Sequence, residues 1–486
     1  MSRLALLTAG LIITFLLWLS STNDVTLVQA ASSFLALSAA AWTYSTWKVK
    51  GYPAIPVFAF IIGAYWWYFT FELFWGGRAV YLWQTGAIPV DGKAITAAMI
   101  AMLIGVFALL LGSEAKVFPP LEKLKQWDLV DDPKQWTWLR VILAGGTLIM
   151  LAGVPLSFLG DGVRQIIVLF ETMAPSVAFV ILFRIYLRGL ASNVDKLLIA
   201  AFLVLRFVGG MASGWLGSAA SMAIIVGAVY LSERRRVPAW APALLAVYVL
   251  FFQVGKSQYR QQYWNTGQSA ASPIDRLSYW FDVSLGEWQK AIADNNKQAY
   301  VELISQSFLR TSLLTQVASL IERTPRDVPF QKGKTYSYFL ITWIPRFLWP
   351  GKPSVNEANQ FYQVAYGITP EESLNKVSIA VGSLGEAYMN FGWLGIPLVM
   401  FLIGVVISNY QQLFLSRNSG VLLFGIGIAL VPQILMIEGQ LAQYLSGVIQ
   451  SIVFCVVVFS PILRRRCSCP ITVSRRDLRA LLHVQL

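Results

Sequence analysis

The sequence predicts an all-α polytopic membrane protein with about twelve transmembrane helices and one large extracytoplasmic loop between spans 9 and 10. Of the 486 residues, 56% are hydrophobic and only 13% are charged, whereas about 25% are charged in an ordinary soluble domain. The apolar runs approach the roughly 20 residues that a helix needs to cross a bilayer. They are continuous rather than alternating, which favours helices over a membrane β-barrel.

A long polar segment separates the first nine predicted spans from the last three. The spans lie at about 4–19, 27–46, 53–74, 94–111, 138–156, 166–187, 195–210, 213–232, 238–254, 391–409, 420–437 and 444–463. We therefore divide the chain into spans 1–9 over residues 1–254, the polar loop over 255–390, spans 10–12 over 391–463, and a basic tail over 464–486.

The distribution of positive charge predicts the orientation of these spans. Most cations between spans fall on one side: Lys48, Lys50, Lys116, Lys123, Lys125, Lys134, Arg184, Arg188, Lys196, Arg234–Arg236, Arg417 and Arg464–Arg466. The short loops on the other side carry only Arg78, Lys93 and Arg164. Because cytoplasmic loops are enriched in lysine and arginine, both termini are predicted to be cytoplasmic and the 255–390 loop to face outward. Topology and the basic tail then explain most of the net charge of +13, and no nucleic-acid partner is expected.

The outward loop concentrates positive charge. Within thirty residues it contains a single acid, Asp327, and six cations: Arg323, Arg326, Lys332, Lys334, Arg346 and Lys352. Such a loop is typical of a membrane protein that acts at the bilayer surface on an anionic ligand.

The residue inventory excludes several kinds of chemistry in this loop. The only histidine, His483, lies three residues from the C-terminus, so no histidine-dependent nucleophile or metal site can operate there. The outward segments contain no Asp-x-Asp or Glu-x-Asp pair for a divalent metal, and the chain has no phosphate-binding GxxxxGK[ST] motif. We predict chemistry without a metal or cofactor, in which a carboxylate, lysine or tyrosine serves as the base.

Glu386 is the acid that we single out as this base. It lies at the outer mouth of span 10, where partial desolvation would suit a carboxylate to take a proton from a hydroxyl. The alternative is a carboxylate at a helix start that complements the helix dipole. Glu438, between spans 11 and 12, also faces outward and is a second candidate for the same cavity. Tyr388 and Asn390 are either ligand-binding or interfacial residues.

Arg206 marks an irregular pair of spans. Only 36 residues between Lys196 and Glu233 are available for two crossings, which leaves little room for two full helices. Short or broken helices in membrane proteins usually line a cavity, which Arg206 would face. The alternative is that Arg206 snorkels to the outer headgroups.

Three motifs resemble a known family. They are Thr342-Trp-Ile-Pro-Arg-Phe-Leu-Trp-Pro-Gly-Lys-Pro353, Asn359-Gln-Phe-Tyr-Gln-Val-Ala-Tyr-Gly367 and Gly382-Ser-Leu-Gly-Glu-Ala-Tyr-Met-Asn-Phe-Gly-Trp-Leu-Gly395. Together they resemble the Wzy-type oligosaccharide repeat-unit polymerases, which are the O-antigen and exopolysaccharide polymerases of bacteria. The specific likeness covers residues 335–397.

The resemblance implies a GT-C-like fold and a glycosyltransferase activity at the periplasmic face of the bacterial inner membrane. Enzymes of this family transfer the growing glycan from undecaprenyl diphosphate to the next lipid-linked repeat unit, without a metal or a nucleotide sugar. Arg346 and Glu386 are the positions that carry the family motifs. The related O-antigen ligases depend on a loop histidine, which this loop lacks.

On this interpretation, Arg346, Arg260, Lys256 and Arg206 would bind the two diphosphates and Glu386 would deprotonate the acceptor hydroxyl. Tyr388, Asn390 and Glu438 would contact sugars. Lys352 is a substrate-binding candidate, although phospholipid headgroups or an acidic glycan are the default ligands for Lys332, Lys334 and Lys352.

The expected partners are the undecaprenyl-diphosphate-linked oligosaccharides, the lipid bilayer and a chain-length regulator protein. Two alternative functions stay open: a flippase that transports the same lipid-linked oligosaccharide, and a non-catalytic scaffold of an envelope-assembly complex. A transporter often shows inverted repeats, and we find none in this sequence.

Overall fold

The structure is a computed structural model of the 486-residue chain. It describes residues 3–116, 118–129, 133–152, 161–236, 238, 240–265, 271–293, 303, 312–341, 344, 349, 351–353, 356–374 and 379–465. Arg346 lies outside the described residues, as does most of the motif around it.

Helices dominate the described residues. In the first half of the chain they are α1 (Arg3–Leu19), α2 (Leu27–Lys50), α3 (Val57–Trp75), α4 (Gly92–Ser113), α5 (Pro119–Glu122), α6 (Pro133–Ala152), α7 (Asp161–Thr172), α8 (Ala174–Leu187), α9 (Asn193–Ala212) and α10 (Leu216–Arg234). The second half contains α11 (Trp240–Val254), α12 (Lys256–Arg260), α13 (Pro273–Ala293), α14 (Leu314–Arg323), α15 (Lys334–Ile341), α16 (Glu357–Ala365), α17 (Gly382–Phe414), α18 (Val421–Ile434) and α19 (Leu441–Phe459). Shorter helical turns cover Lys123–Gln126, Gln261–Asn265, Glu371–Ser373 and Ser460–Ile462.

Strands are short and peripheral. β1 (Ala79–Leu82) and β2 (Gly86–Pro89) form an antiparallel hairpin between α3 and α4. β3 (Trp127–Asp128) pairs with β4 (Arg464–Arg465), which ties the connector after α5 to the segment after α19.

Among the residues that the structure describes, six helical segments are long and apolar enough to cross a membrane. They are Val57–Trp75, Gly92–Ser113, Ile166–Leu187, Leu216–Arg234, Gly382–Phe414 and Leu441–Ile462. A seventh span results if α11 and the following helix to Trp264, bent by 58°, count as one. The prediction of a polytopic helical membrane protein is confirmed, whereas the count of twelve spans and the GT-C-like arrangement stay predictions.

Helices α4 and α17 pack with their backbones almost in contact. A Cβ atom at Gly112 would lie 2.3 Å from the carbonyl oxygen of Phe401, and one at Gly404 would lie 2.3 Å from that of Leu109. Only glycine fits such a distance, so these two residues set the separation of the helices.

Helix α17 is kinked at Gly392. This residue has φ 62° and ψ −147° inside an otherwise helical segment, a combination that is essentially restricted to glycine. A Cβ atom here would also lie 3.1 Å from the ring of Phe330. The kink separates the first turns of α17, which contain Glu386, from the rest of the helix.

The predicted polar loop partly belongs to the helical core. The residues of α14 that face the bundle are buried, among them Leu314, Val317, Ala318 and Leu320, and α14 packs against α3, α4 and α17. The strong amphipathicity of the segment explains this placement, because its apolar stripe needs an apolar partner.

The pair α9 and α10 differs from the sequence prediction. α9 has 20 residues, α10 has 19, and both are continuous helices joined by a three-residue turn that includes Gly214 at φ 75°. The expectation of a shortened or broken pair was therefore wrong. Two full helices fit because the turn is tight and because they extend past Lys196 and Glu233, from Asn193 to Arg234.

Candidate active site

Three glutamates lie at the same end of the helix bundle, where α3 ends and where α17 and α19 begin. Glu72 is on α3, Glu386 is on α17, and Glu438 is in the linker between α18 and α19. We call this region the acidic end. Among the described residues, none of the three forms an ion pair with a basic side chain, so hydrogen-bond donors hold them instead.

Glu386 is completely buried, with 0% of its surface exposed. One carboxylate oxygen accepts a 2.7 Å hydrogen bond from the hydroxyl of Thr335, and the other accepts a 2.7 Å bond from the backbone N–H of Leu441. Leu441 is the first residue of α19, where backbone N–H groups lack partners within the helix. Glu386 therefore joins the loop helix α15 to the N-terminus of α19, which a negative charge also stabilises electrostatically.

Asn390 completes the network around Glu386 and is also buried. Its side-chain nitrogen donates to the Thr335 hydroxyl at 2.7 Å and to the backbone oxygen of Glu386 at 2.9 Å. Its side-chain oxygen accepts from the N–H of Gly333 at 2.9 Å. Both ends of the amide are thus used to fix the start of α15 on α17.

Glu72 is held by the segment that leads into α14. The hydroxyl of Ser312 donates to one carboxylate oxygen, and the hydroxyl of Thr315 donates to the other at 2.5 Å. The backbone N–H of Thr315 adds a third bond at 3.1 Å. Glu72 thereby fixes the loop to α3.

Glu438 is the only one of the three glutamates that is partly exposed. The hydroxyl of Tyr68, one turn before Glu72 on α3, donates to its Oε1. Burial raises the pKa of the Glu438 carboxyl, while the Tyr68 hydrogen bond and the nearby charge of Lys256 act in the opposite direction. Its Oε2 accepts no hydrogen bond from the part of the chain that the structure describes.

The linker that carries Glu438 is pressed against the start of α17. Gly382 has φ +70°, and a Cβ atom there would lie 2.8 Å from the carbonyl oxygen of Ile437. The hydroxyl of Ser383 donates to the carbonyl oxygen of Gly439 at 2.8 Å. The backbone on both sides of Glu438 is therefore fixed relative to Glu386.

The predicted diphosphate-binding cations fall in different places. Lys256, the first residue of α12, lies close enough to Glu438 to affect its charge. Arg260, one turn further along, places its guanidinium 4.8 Å from the ring of Trp215 and 4.2 Å from that of Trp264. The structure thus brings one predicted cation to the acidic end and places a second against two neighbouring aromatic rings.

Arg206 and Lys352 have other surroundings. The guanidinium of Arg206 lies 3.9 Å from the sulfur of Met150 on α6, with Glu171 of α7 as its acidic neighbour. Lys352 is buried and donates from Nζ to the carbonyl oxygen of Ile344 at 2.8 Å. Among the loop lysines predicted to meet headgroups, Lys332 and Lys334 are exposed.

Tyr388 is buried between two aromatic side chains. Its ring makes edge contacts with Phe330 and Trp393, at centroid distances of 6.1 and 5.6 Å, and its hydroxyl is 3.5 Å from the carbonyl oxygen of Thr324. These contacts position the loop on α17.

Sequence reasoning missed the hydroxyl side chains that hold the three acids: Tyr68, Ser312, Thr315 and Thr335. Tyr68 and Glu72 are four residues apart, so they share one face of a predicted span, and two polar groups on one face of an apolar helix are a detectable signal. Ser312, Thr315 and Thr335 lie in polar segments, where serine and threonine are common and give no sequence signal of a site.

Within the described residues, no three His, Cys, Asp or Glu side chains come together closely enough to hold a metal ion. The acidic end is instead a set of separately anchored carboxylates that face hydroxyl and amide groups. Such groups suit a polyhydroxylated ligand, because each hydroxyl can both donate and accept hydrogen bonds.

Part of the chain matches a model of a known protein family. The family model described as O-antigen polysaccharide polymerase Wzy matches residues 289–466, a region that contains α14 to α19 together with Thr335, Glu386 and Glu438. No curated protein and no solved structure matches the chain. The family match confirms the resemblance to Wzy-type polymerases predicted from the sequence.

Proposed function

We propose that the protein joins undecaprenyl-diphosphate-linked oligosaccharide repeat units into a long O-antigen or exopolysaccharide. The reaction would take place at the periplasmic face of the bacterial inner membrane. In each cycle the growing glycan moves from its lipid carrier to a sugar hydroxyl of the next lipid-linked unit. The transfer requires neither a metal ion nor a nucleotide sugar.

One observation carries this proposal. The family match covers the part of the chain that supplies Glu386, Glu438 and Thr335 to the acidic end. A set of fixed carboxylates at one end of a membrane helix bundle can orient the hydroxyls of a glycan whose lipid tail lies in the bilayer.

Basic side chains near the acidic end would stabilise the negative charge of the leaving diphosphate. Lys256 is near enough to Glu438 for its charge to act on that carboxyl, and Arg260 follows one turn later on α12. As the bond to the donor sugar breaks, negative charge develops on the leaving diphosphate, and positioned lysine and arginine side chains stabilise it. Arg346 and Arg206 are proposed for the same task at the two lipid-linked substrates.

If Glu386 removed the acceptor proton, as the sequence predicts, its hydrogen bonds would impose one requirement. Both of its oxygens already accept hydrogen bonds, from Thr335 and Leu441. It can receive a proton from an acceptor hydroxyl only after one of those donors moves away. Its present bonds give it a second task, the positioning of α15 against α19.

Charge reversal at Arg346 tests the function in cells. In a strain that lacks its own copy of the gene, Arg346→Glu should abolish the long-chain glycan and leave single repeat units, because the leaving group loses a stabilising charge. We expect a loss of about 100-fold or more in polymer, measured by gel electrophoresis of extracted glycan.

Lys334→Glu is the matched control, since Lys334 is an exposed loop cation at the start of α15. It should leave the ladder of chain lengths intact. Full-length polymer from Arg346→Glu would contradict the assignment. If glycan length is normal but repeat units accumulate on the cytoplasmic side, the protein is the flippase instead.

A further inference from the structure

We infer that Glu438, oriented by Tyr68, is the carboxylate that takes the proton from the acceptor hydroxyl. This inference rests on the proposed polymerase function and assigns a catalytic residue within it. Sequence reasoning gave that role to Glu386 and placed Glu438 among the sugar-binding residues.

Access distinguishes the two acids. Glu386 has no exposed surface, and each of its oxygens is engaged. Glu438 is partly exposed and uses only Oε1, for the bond from Tyr68. A general base must come within hydrogen-bonding reach of the proton that it removes. Glu438, which is partly exposed and has one oxygen without a hydrogen bond from the described residues, can meet that condition without the loss of a bond within the fold.

Orientation comes from α3 and from the loop. The carbonyl oxygen of Tyr68 accepts hydrogen bonds from the N–H of Leu313 and from the hydroxyl of Ser312, both at 3.0 Å. Ser312 also donates to Glu72. These bonds hold the Tyr68 backbone, and the Tyr68 hydroxyl donates to Glu438 Oε1, which leaves Oε2 to the ligand.

The electrostatic setting suits a base. Two groups among the described residues act on the Glu438 carboxylate: Tyr68 from α3 through its hydrogen bond and Lys256 from α12 through its charge. Burial raises the pKa of the Glu438 carboxyl, which makes the carboxylate more basic, while these two groups act in the opposite direction. Lys256 also lies where it can contact a diphosphate bound next to the reacting sugar.

The glycosyl transfer forms one bond, breaks one bond and moves one proton. The acceptor hydroxyl oxygen forms a bond to the anomeric carbon of the donor glycan, and the bond from that carbon to the diphosphate oxygen breaks. The diphosphate leaves with the bonding electron pair, stabilised by Lys256. The hydroxyl proton moves to Glu438 Oε2, and bulk water later takes it up.

The test compares Glu438→Gln with wild type in purified protein supplied with a synthetic undecaprenyl-diphosphate repeat unit. We expect the rate of chain growth to fall by about 100-fold or more, while binding of the repeat unit stays near the wild-type level. Chain growth by Glu438→Gln at the wild-type rate would overturn the inference. A wild-type protein that makes no polymer would contradict the proposed function instead.

Tyr68→Phe gives a second readout that a purely structural role would not affect. Loss of a hydrogen bond to the carboxylate raises the pKa of Glu438 further, so the pH at which the rate increases should move upward by about one unit. Tyr65→Phe is the matched control, because its hydroxyl, one turn earlier on α3, contacts the sulfur of Met400. An unshifted profile in Tyr68→Phe would overturn the inference even if Glu438→Gln fails to fold.

Discussion

Glu386 illustrates how a buried carboxylate is accommodated without a basic partner. Removal of a charged group from water costs several kcal/mol unless donors compensate it. Here a hydroxyl from α15 and a backbone N–H from α19 supply the compensation. Because the donors come from elements far apart in sequence, the carboxylate also connects them. Changes at Glu386 will therefore affect both the site and the packing around it.

Thr335 offers the clearest stability test of this network. Its hydroxyl donates to Glu386 and accepts from Asn390, and valine of similar shape can do neither. Thr335→Val should lower the stability of the protein by about 1–3 kcal/mol, since buried polar groups lose their partners. The measurement is thermal unfolding of detergent-purified protein.

Thr335→Ser keeps the hydroxyl and should retain most of the stability. Ser337→Ala, two residues further along the same helix, removes an exposed hydroxyl that bonds only within α15 and should have little effect. If Thr335→Val melts at the wild-type temperature, the network does not stabilise the fold.

At the level of elements, helix α17 shows how one residue positions the site. The first turns of α17 hold Glu386 and Asn390, whereas the later turns pack along α4. The sequence identified this helix by its apolar run and its Gly-Glu-Ala-Tyr motif. It did not reveal the kink, because a glycine in an apolar helix is common and its backbone angles depend on tertiary contacts such as the Phe330 ring.

Gly392→Ala tests the kink. A side chain at φ 62° and ψ −147° is strained, which should cost about 1–3 kcal/mol and displace Glu386. We expect a lower melting temperature together with reduced polymer formation. Gly63→Ala on α3 is the control, because a Cβ atom there meets no other atom within 4 Å. Equal behaviour of the two variants would mean that the kink does not position the site.

At the scale of the whole molecule, the sequence predicted a helical membrane protein, and composition was sufficient for that. The number of spans is harder to predict from the sequence, because α9 contains Asp195, Lys196 and Arg206 within an otherwise apolar helix. Such a helix is long enough to cross a membrane, but its charged residues make it too polar to be recognised as a span from composition alone. Glu386 and Glu438 were found because acids are rare in these regions. Tyr68 and Thr335 were not, since only the fold shows that their hydroxyls meet those acids.

Chain growth by the purified protein on a synthetic undecaprenyl-diphosphate repeat unit in the presence of EDTA tests the polymerase function most directly. We expect a ladder of longer lipid-linked glycans from wild type. We expect none from Glu386→Gln, because an amide can accept from only one of the two donors that meet the carboxylate. A ladder from both proteins would keep the polymerase and exclude an essential role for Glu386. No ladder from wild type with the native repeat unit would contradict the polymerase function and favour a transporter.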